Sequence, residues 1–247
     1  MAKPDWVFGL HTVAAILERH PERILELCFQ QGREDQRIQN IQALAEPHGI
    51  PSRLSTRQTL DELAKDGNHQ GVVAKCRLAQ PQTEQQLYEL VERAREPLLL
   101  LVLDSVTDPH NLGACIRTAD AVGAAGVITT RDKAAGLTPV VRRVAVGAAE
   151  VVPFFQVTNL ARTLDELKQM GIWVAGSAID ETAKSLYDAD LTGHLAMVMG
   201  AEGKGLRRLT KDKCDQLLYI PMQGSVDSLN VSVATGVCLF EAYRQRS

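Results

Sequence analysis

Leu98-Leu-Leu-Leu-Val-Leu103 is an unbroken aliphatic run. It leads into Asp104-Ser-Val-Thr-Asp108-Pro-His-Asn111-Leu-Gly113-Ala-Cys-Ile-Arg117-Thr-Ala-Asp120-Ala-Val122, and Gly126-Val-Ile128 follows. A run with no polar alternation predicts a strand covered on both faces. Asn111 to Val122 has helical spacing, and Gly126–Ile128 begins a second strand. The same rhythm continues downstream. Pro139 to Ala149 reads as a helix with proline near its first turn. Val151 to Phe155 reads as a strand, and Leu160 to Met170 as a helix ended by Gly171. Ile172–Ala175, Leu195–Met199 and Leu217–Ile220 read as strands, and Leu229 to Tyr243 as a final helix. Alternating strands and helices predict an α/β domain built on a parallel sheet with helices on both faces. In such sheets ligands sit beyond the carboxyl ends of the strands.

Upstream the texture differs. Residues 1–77 read as a small α/β unit. A short helix at Ala14–Leu17 follows Gly9, a strand spans Ile24–Phe29, a helix spans Arg37–Glu46 and stops at Pro47 and Gly49, and a closing strand begins at Gly71. Residues 78–97 are polar and proline-flanked around Gln80-Pro81-Gln82-Thr83-Glu84, so a linker with a short helix is expected before the 98–247 domain.

The chain has 247 residues, 45% hydrophobic and 23% charged, with a formal charge of −3. That is the balance of a globular protein, and it leaves any nucleic-acid contact to local patches. Lys204, Arg207, Arg208, Lys211 and Lys213 form the densest patch and Arg142–Arg143 a smaller one. Without other evidence, each reads first as a solvated helix face. Residues 1–77 hold ten acids and ten bases. Aromatics are only 4%, too few for a base-stacking sheet. The five cysteines are scattered and include no Cys-x-x-Cys pair, which excludes a zinc ribbon and points to a reducing, cytoplasmic setting. The start has no apolar signal core and no run is long enough to span a bilayer, so no membrane partner is expected.

Three segments interrupt the aliphatic rhythm. In Asp104–Asp120, Asn111 sits where an N-cap is expected. Arg117, within an Ala-Cys-Ile-Thr-Ala run, is either a surface arginine or one placed to meet a phosphate or carboxylate. Met199-Gly200-Ala201-Glu202-Gly203-Lys204-Gly205 follows a strand and opens a helix, but it fits neither phosphate-loop fingerprint. Its glycines allow close backbone approach to a ligand, while Glu202 would also suit a helix N-terminus. In Ile220-Pro-Met222-Gln-Gly224-Ser-Val-Asp-Ser228-Leu229-Asn230-Val-Ser232, capping explains one of Ser228 and Asn230 but not both.

Together and in this order, the three segments resemble the SpoU/TrmH family of SPOUT-class RNA ribose 2′-O-methyltransferases. Phe8-Gly-Leu-His11 and His69-Gln-Gly-Val72 extend the resemblance through the N-terminal part. The resemblance implies a C-terminal deep trefoil knot, a homodimer, and a ribosomal-protein-like RNA-binding domain in front. It also implies S-adenosyl-L-methionine as cofactor, and a guanosine of large-subunit (23S) ribosomal RNA, free or in an assembly intermediate, as substrate. Matching the motifs position by position assigns the cofactor to Gly200, Ile220 and Leu229, with Met199, Ala201 and Met222 as neighbours. It assigns the active site to Arg117, Glu202, Asn111, Ser228 and Asn230, with no metal.

Ribose methylation needs the hydroxyl oxygen in line with the methyl at roughly 3–3.5 Å. Neutralising an arginine at pH 7 would cost about 8 kcal/mol, so a base role for Arg117 is disfavoured. Phosphate binding by Arg117 is the expectation, with Glu202 holding its fork or joining the proton path and Ser228 and Asn230 positioning loop and ribose. Two other readings stay open at this level. One is a nucleotide-dependent oxidoreductase, against which the missing dinucleotide fingerprint counts. The other is a non-catalytic RNA-binding assembly protein, against which the intact polar set counts. Transfer RNA is the alternative substrate.

Overall fold

The computed structural model describes residues 4–65, 67–201, 203 and 205–247. The chain divides into two compact units, Met1–Gln80 with Val146–Val151, and Pro81–Ala145 with Val152–Ser247.

The first unit contains β1 (Pro4–Phe8), α1 (Leu10–Arg19), β2 (Ile24–Gln30), α2 (Gln36–Ala45), β3 (Ser52–Ser55), α3 (Arg57–Leu63) and β4 (Val72–Arg77). The sheet order is β1-β4-β2-β3, with only the β2–β3 pair parallel. Period-two alternation splits the sheet's faces. Leu27, Phe29, Val72 and Ala74 meet Val13, Ile16 and Leu17 of α1 and Ile38 and Ile41 of α2. Cys28 and Val73 face the other way, onto Leu60 and Ala64. Asp35 caps α2 by accepting from the amides of Arg37 and Ile38, and Thr56 caps α3. The two outlying motifs meet here, because the Gln70 side chain accepts the Leu10 amide at 3.1 Å and so caps α1.

A returning segment completes this unit. Later in the chain, α6 (Pro139–Ala145) ends at Val146, and Val146 (φ 49°) and Gly147 (φ 91°) are both left-handed. The helix expected over Pro139–Ala149 is therefore broken. A Cβ on Gly147 would lie 2.8 Å from Thr12 Cα, so close backbone approach requires the glycine. The single turn α7 (Ala148–Val151) follows. Its Glu150, 3% exposed, pairs with the Arg23 guanidinium and accepts the Ala79 amide at 2.7 Å.

The second unit opens with α4 (Glu84–Glu92), inside the stretch expected to be a linker. A Thr83–Gln86 capping box starts it, and Leu87 and Val91 anchor it in this unit's core. Next come β5 (Leu99–Asp104), α5 (Pro109–Ala121) and β6 (Gly126–Thr130), and after α6 and α7 come β7 (Phe154–Val157), α8 (Leu160–Gln169), β8 (Trp173–Ser177) and β9 (Lys184–Ser185). The unit closes with β10 (Leu195–Gly200), α9 (Arg208–Lys213), β11 (Gln216–Tyr219) and α10 (Val231–Arg246). The sheet order is β7-β6-β5-β10-β8-β11-β9 and every pair is parallel. The strand expected at Val151–Phe155 starts three residues later, because Val151 is helical and belongs to the first unit.

Leu100 and Val102 pack with Ile128, Phe155, Val174, Ala196 and Val198 against α4 and α8. The other face is covered by α5 and α10, which bury Leu112, Ile116, Cys238 and Leu239. With every strand parallel, all carboxyl ends share one edge, and the three polar segments leave from that edge.

Candidate active site

At that edge Gly200 of β10 lies in register with Asp104 of β5. Asp104 is 0% exposed, and a carboxylate removed from water needs donors. It accepts the Arg207 amide at 2.9 Å, Arg207 Nε at 2.5 Å and Ser105 Oγ at 3.1 Å. Between Gly200 and Arg207 the chain closes a tight loop. The Gly205 amide donates to the Ala201 carbonyl at 2.9 Å, and Gly203 and Gly205 are left-handed. A Cβ on Gly200 would stand 2.2 Å from Gly205 C and 2.4 Å from Leu206 N. Glycine is thus required at 200 by the loop's own backbone, before any ligand is considered. Glu202, a candidate catalytic residue, lies outside the described residues, as does Lys204.

The first and third segments meet directly. The cap of α5 is Asp108, not Asn111: Asp108 accepts the amides of His110 at 3.1 Å and Asn111 at 3.3 Å. Pro109 takes the first helical position, where its missing N–H leaves nothing unpaired. The Asn111 side chain, 8% exposed, is thereby left to accept from Asn230 Nδ2 at 2.9 Å. Asn230 is itself the cap of α10. Its Oδ1 accepts the amides of Ser232 at 2.9 Å and Val233 at 3.4 Å, which turns its amide nitrogen toward Asn111. One side chain therefore starts the last helix and ties it to α5. Below this contact, Cys115 Sγ lies 3.5 Å from Thr235 Oγ1, and burial pushes the thiol up to about 11.

Arg117 stands on α5 and is exposed. It makes no hydrogen bond or ion pair among the described residues. It lies four residues beyond Gly113, hence on the same side of the helix. There a Cβ on Gly113 would be 2.7 Å from Val144 Cβ and 2.8 Å from the Val141 carbonyl, so α5 and α6 are in near-backbone contact. Arg142 and Arg143 are on α6.

The cofactor candidates line the same edge. Gly200 and Ala201 are half-buried at the end of β10, and Met199, one residue inside the strand, is buried. Ile220 follows β11 directly, and Ile220, Met222 and Leu229 are half-buried on either side of the exposed residues 223–228, which include Ser228. Half-buried aliphatic side chains suit an adenine ring and the carbon chain of a sulfonium cofactor, which need flat apolar walls and backbone partners. Among the described residues no group of His, Cys, Asp or Glu is arranged to hold a metal ion, and no helix is long and apolar enough to cross a membrane. Sequence reasoning overlooked Asp104 and Arg207 as partners. The available signal was a lone carboxylate closing a six-residue aliphatic strand.

Residues 98–240 match the SpoU rRNA Methylase family, and residues 6–82 match the RNA 2′-O ribose methyltransferase substrate-binding family. The chain is 54% identical to the 23S rRNA (guanosine-2′-O-)-methyltransferase RlmB of Pseudomonas putida, covering 100% of this chain and 98% of the relative. It is 56% identical to the enzyme of the same name from Pasteurella multocida, covering 97% and 98%. Among solved structures it resembles the SpoU methyltransferase AviRb from Streptomyces viridochromogenes in complex with AdoMet. That similarity has a TM-score of 0.73 and 25% identity, covering 98% of this chain and 90% of that one. With more than half of its residues matched by the catalytic family and with 54% and 56% identity to two curated members over nearly their full length, the chain belongs to the SpoU rRNA methylase family.

Proposed function

We propose that this protein transfers a methyl group from S-adenosyl-L-methionine to the ribose 2′-hydroxyl of a guanosine in large-subunit (23S) ribosomal RNA. The observation that carries this is identity above one half, over nearly the full length of both chains, to relatives bearing that activity. The bound cofactor supplies an electrophilic methyl on a sulfonium. Everything else falls to the chain. Main-chain groups at Gly200, Ile220 and Leu229 hold the adenine, with Ala201 and Met222 as walls and Met199 backing them from inside β10. Arg117 binds the phosphate beside the target ribose. Its guanidinium, exposed and bonded to no described residue, supports that role, and phosphate binding spares it the expense of acting as a base. Asn230, fixed by Asn111, and Ser228 orient the ribose, and Glu202 steadies Arg117 or joins the proton path.

Residues 1–77 deliver RNA and 98–247 catalyse, the stretch 78–97 contributes α4 to the catalytic unit, and the C-terminal loops are threaded as a trefoil knot. The protein works in the cytoplasm as a homodimer. Val233, Phe240 and Tyr243 support the dimer, since they form an exposed apolar stripe on α10 that a monomer would leave wet. The test is methyl transfer from labelled cofactor to unmodified large-subunit RNA and its precursor particles, with transfer RNA alongside. Label confined to one guanosine of large-subunit RNA, and lost in Arg117→Ala, is the expected result. Label in transfer RNA overturns the substrate, and no label in any RNA or particle overturns the activity.

A further inference from the structure

The 201–206 loop leaves β10 beside residue 104 and ends on the buried Asp104 carboxylate. Gly200 pairs with Asp104 along the strands, and the Asp104 side chain takes both the amide and Nε of Arg207. We infer that Asp104 and Arg207 form a latch that sets the loop in its cofactor-accepting shape, with Asp104 as a positioning residue for methyl transfer. This rests on the reading of Gly200 and Ala201 as cofactor contacts.

Three features separate the latch from a stray ion pair. Asp104 has no exposure, so its charge is tolerated only while its donors stay in place. It holds a backbone amide as well as a side chain, so it fixes where the chain runs and not merely where a guanidinium rests. The loop is also closed at its neck by Ala201 and Gly205, and a Cβ at Gly200 would leave no space there. Moving Arg207 therefore moves the neck as a body. The surface pair Lys213–Asp165, 36% and 40% exposed, has none of these properties.

The experiment compares the wild type with Asp104→Asn, Arg207→Met, the double variant and Glu84→Gln. Glu84 is a fair control. It is a partly buried carboxylate in the same unit, bonded to Thr163, Tyr88 and Arg162, and it has no part in the loop. Four readouts are taken: cofactor affinity by calorimetry, the unfolding midpoint without cofactor, tryptic cutting within 201–207, and KM for cofactor against kcat. The latch predicts about tenfold weaker cofactor binding in each single loop variant, the scale of one charge-assisted hydrogen bond partly lost. The double variant should be no weaker than the worse single, because both remove the same pair. Asp104→Asn should also be cut faster in the loop, and the KM for cofactor should rise more than kcat falls. Glu84→Gln should lower the midpoint and leave affinity unchanged. Affinity within twofold of wild type in both single variants overturns the latch. So does affinity that falls in step with the midpoint across all four variants, Glu84→Gln included. A wild type that binds no cofactor overturns the functional reading itself, whereas a wild type that binds with variants that match it overturns the latch alone.

Discussion

Asn230 does two jobs through two different atoms, and substitution can separate them. Its Oδ1 caps α10, and its Nδ2 reaches Asn111. Serine is as good a cap as asparagine but too short to span to Asn111. Asn230→Ser should therefore keep the unfolding free energy within about 1 kcal/mol. It should still lower kcat by about tenfold or more, since a lost positioning contact of roughly 1.4 kcal/mol in the transition state is tenfold. Asn230→Ala should lose the same activity and a further ~1 kcal/mol of stability, because the cap goes too. Chemical denaturation and steady-state kinetics on the two variants check both halves, and equal stability losses would contradict the division of labour. The asparagine pair was partly legible in the sequence. Asn111 and Asn230 stood out as amides beside helix starts, and Asn230 is a cap, whereas the cap expected at Asn111 falls to Asp108. Asp108 precedes Pro109 and outcompetes Asn111 for the cap, so Asn111 points inward.

At the level of elements, α5 is held between two neighbours by opposite means. Toward α10 it uses polar contacts, and toward α6 it uses the absence of a side chain. Gly113→Ala would add a Cβ 2.7 Å from Val144 and 2.8 Å from the Val141 carbonyl. Alanine recovers about 1 kcal/mol of helix propensity, but overpacking costs about 1–3 kcal/mol, and here one clash is with backbone that cannot rotate away. A net loss of about 1 kcal/mol is expected in thermal unfolding, with reduced activity because α5 carries Arg117. The far end of α10 is fixed electrostatically. Glu241 accepts from Arg244 and Gln245, and these bonds hold its carboxyl down to about 2. Gln245 and Arg246 in turn bind the backbone of residues 189–193. A folded carboxyl below its unfolded value of about 4.3 contributes stability that is complete above that value and is lost as pH falls toward 2. Glu241→Gln should therefore lose that contribution at neutral pH, converge with the wild type near pH 2, and so flatten this part of the acid-unfolding profile. Helices such as α5 and α8 were readable because apolar periodicity outweighs local noise. The short edge strands β3 and β9 were not. β3 buries only Ser55, so no alternation marks it. The break at Val146–Gly147 was also hidden, because a glycine within a helical pattern gives no sign of the distant Thr12 against which it packs.

For the molecule as a whole, net charge and composition said little about RNA, since a charge of −3 is spread over patches of both signs. What the sequence did expose was the parallel sheet, because strands covered on both faces must be aliphatic throughout. Assembly is the property left to the surface. On α10, Val233, Phe240 and Tyr243 are 53%, 51% and 49% exposed, at spacings of seven and three residues, so they fall along one stripe. Phe240 and Tyr243 also meet edge to face, with ring centroids 6.4 Å apart, which makes a preformed aromatic ridge. A C2 interface brings the same patch on two copies together, so a single charge introduced there is buried twice and against itself. If α10 carries the proposed homodimer interface, Phe240→Glu shifts the protein from dimer to monomer in sedimentation. Cofactor affinity measured on that monomer then separates two arrangements. A loss of affinity means that the neighbouring subunit completes the pocket at the sheet edge. Unchanged affinity means that each chain builds its pocket alone, with dimerisation serving to present RNA. A wild type that sediments as a monomer at micromolar concentration would remove α10 as an interface between copies.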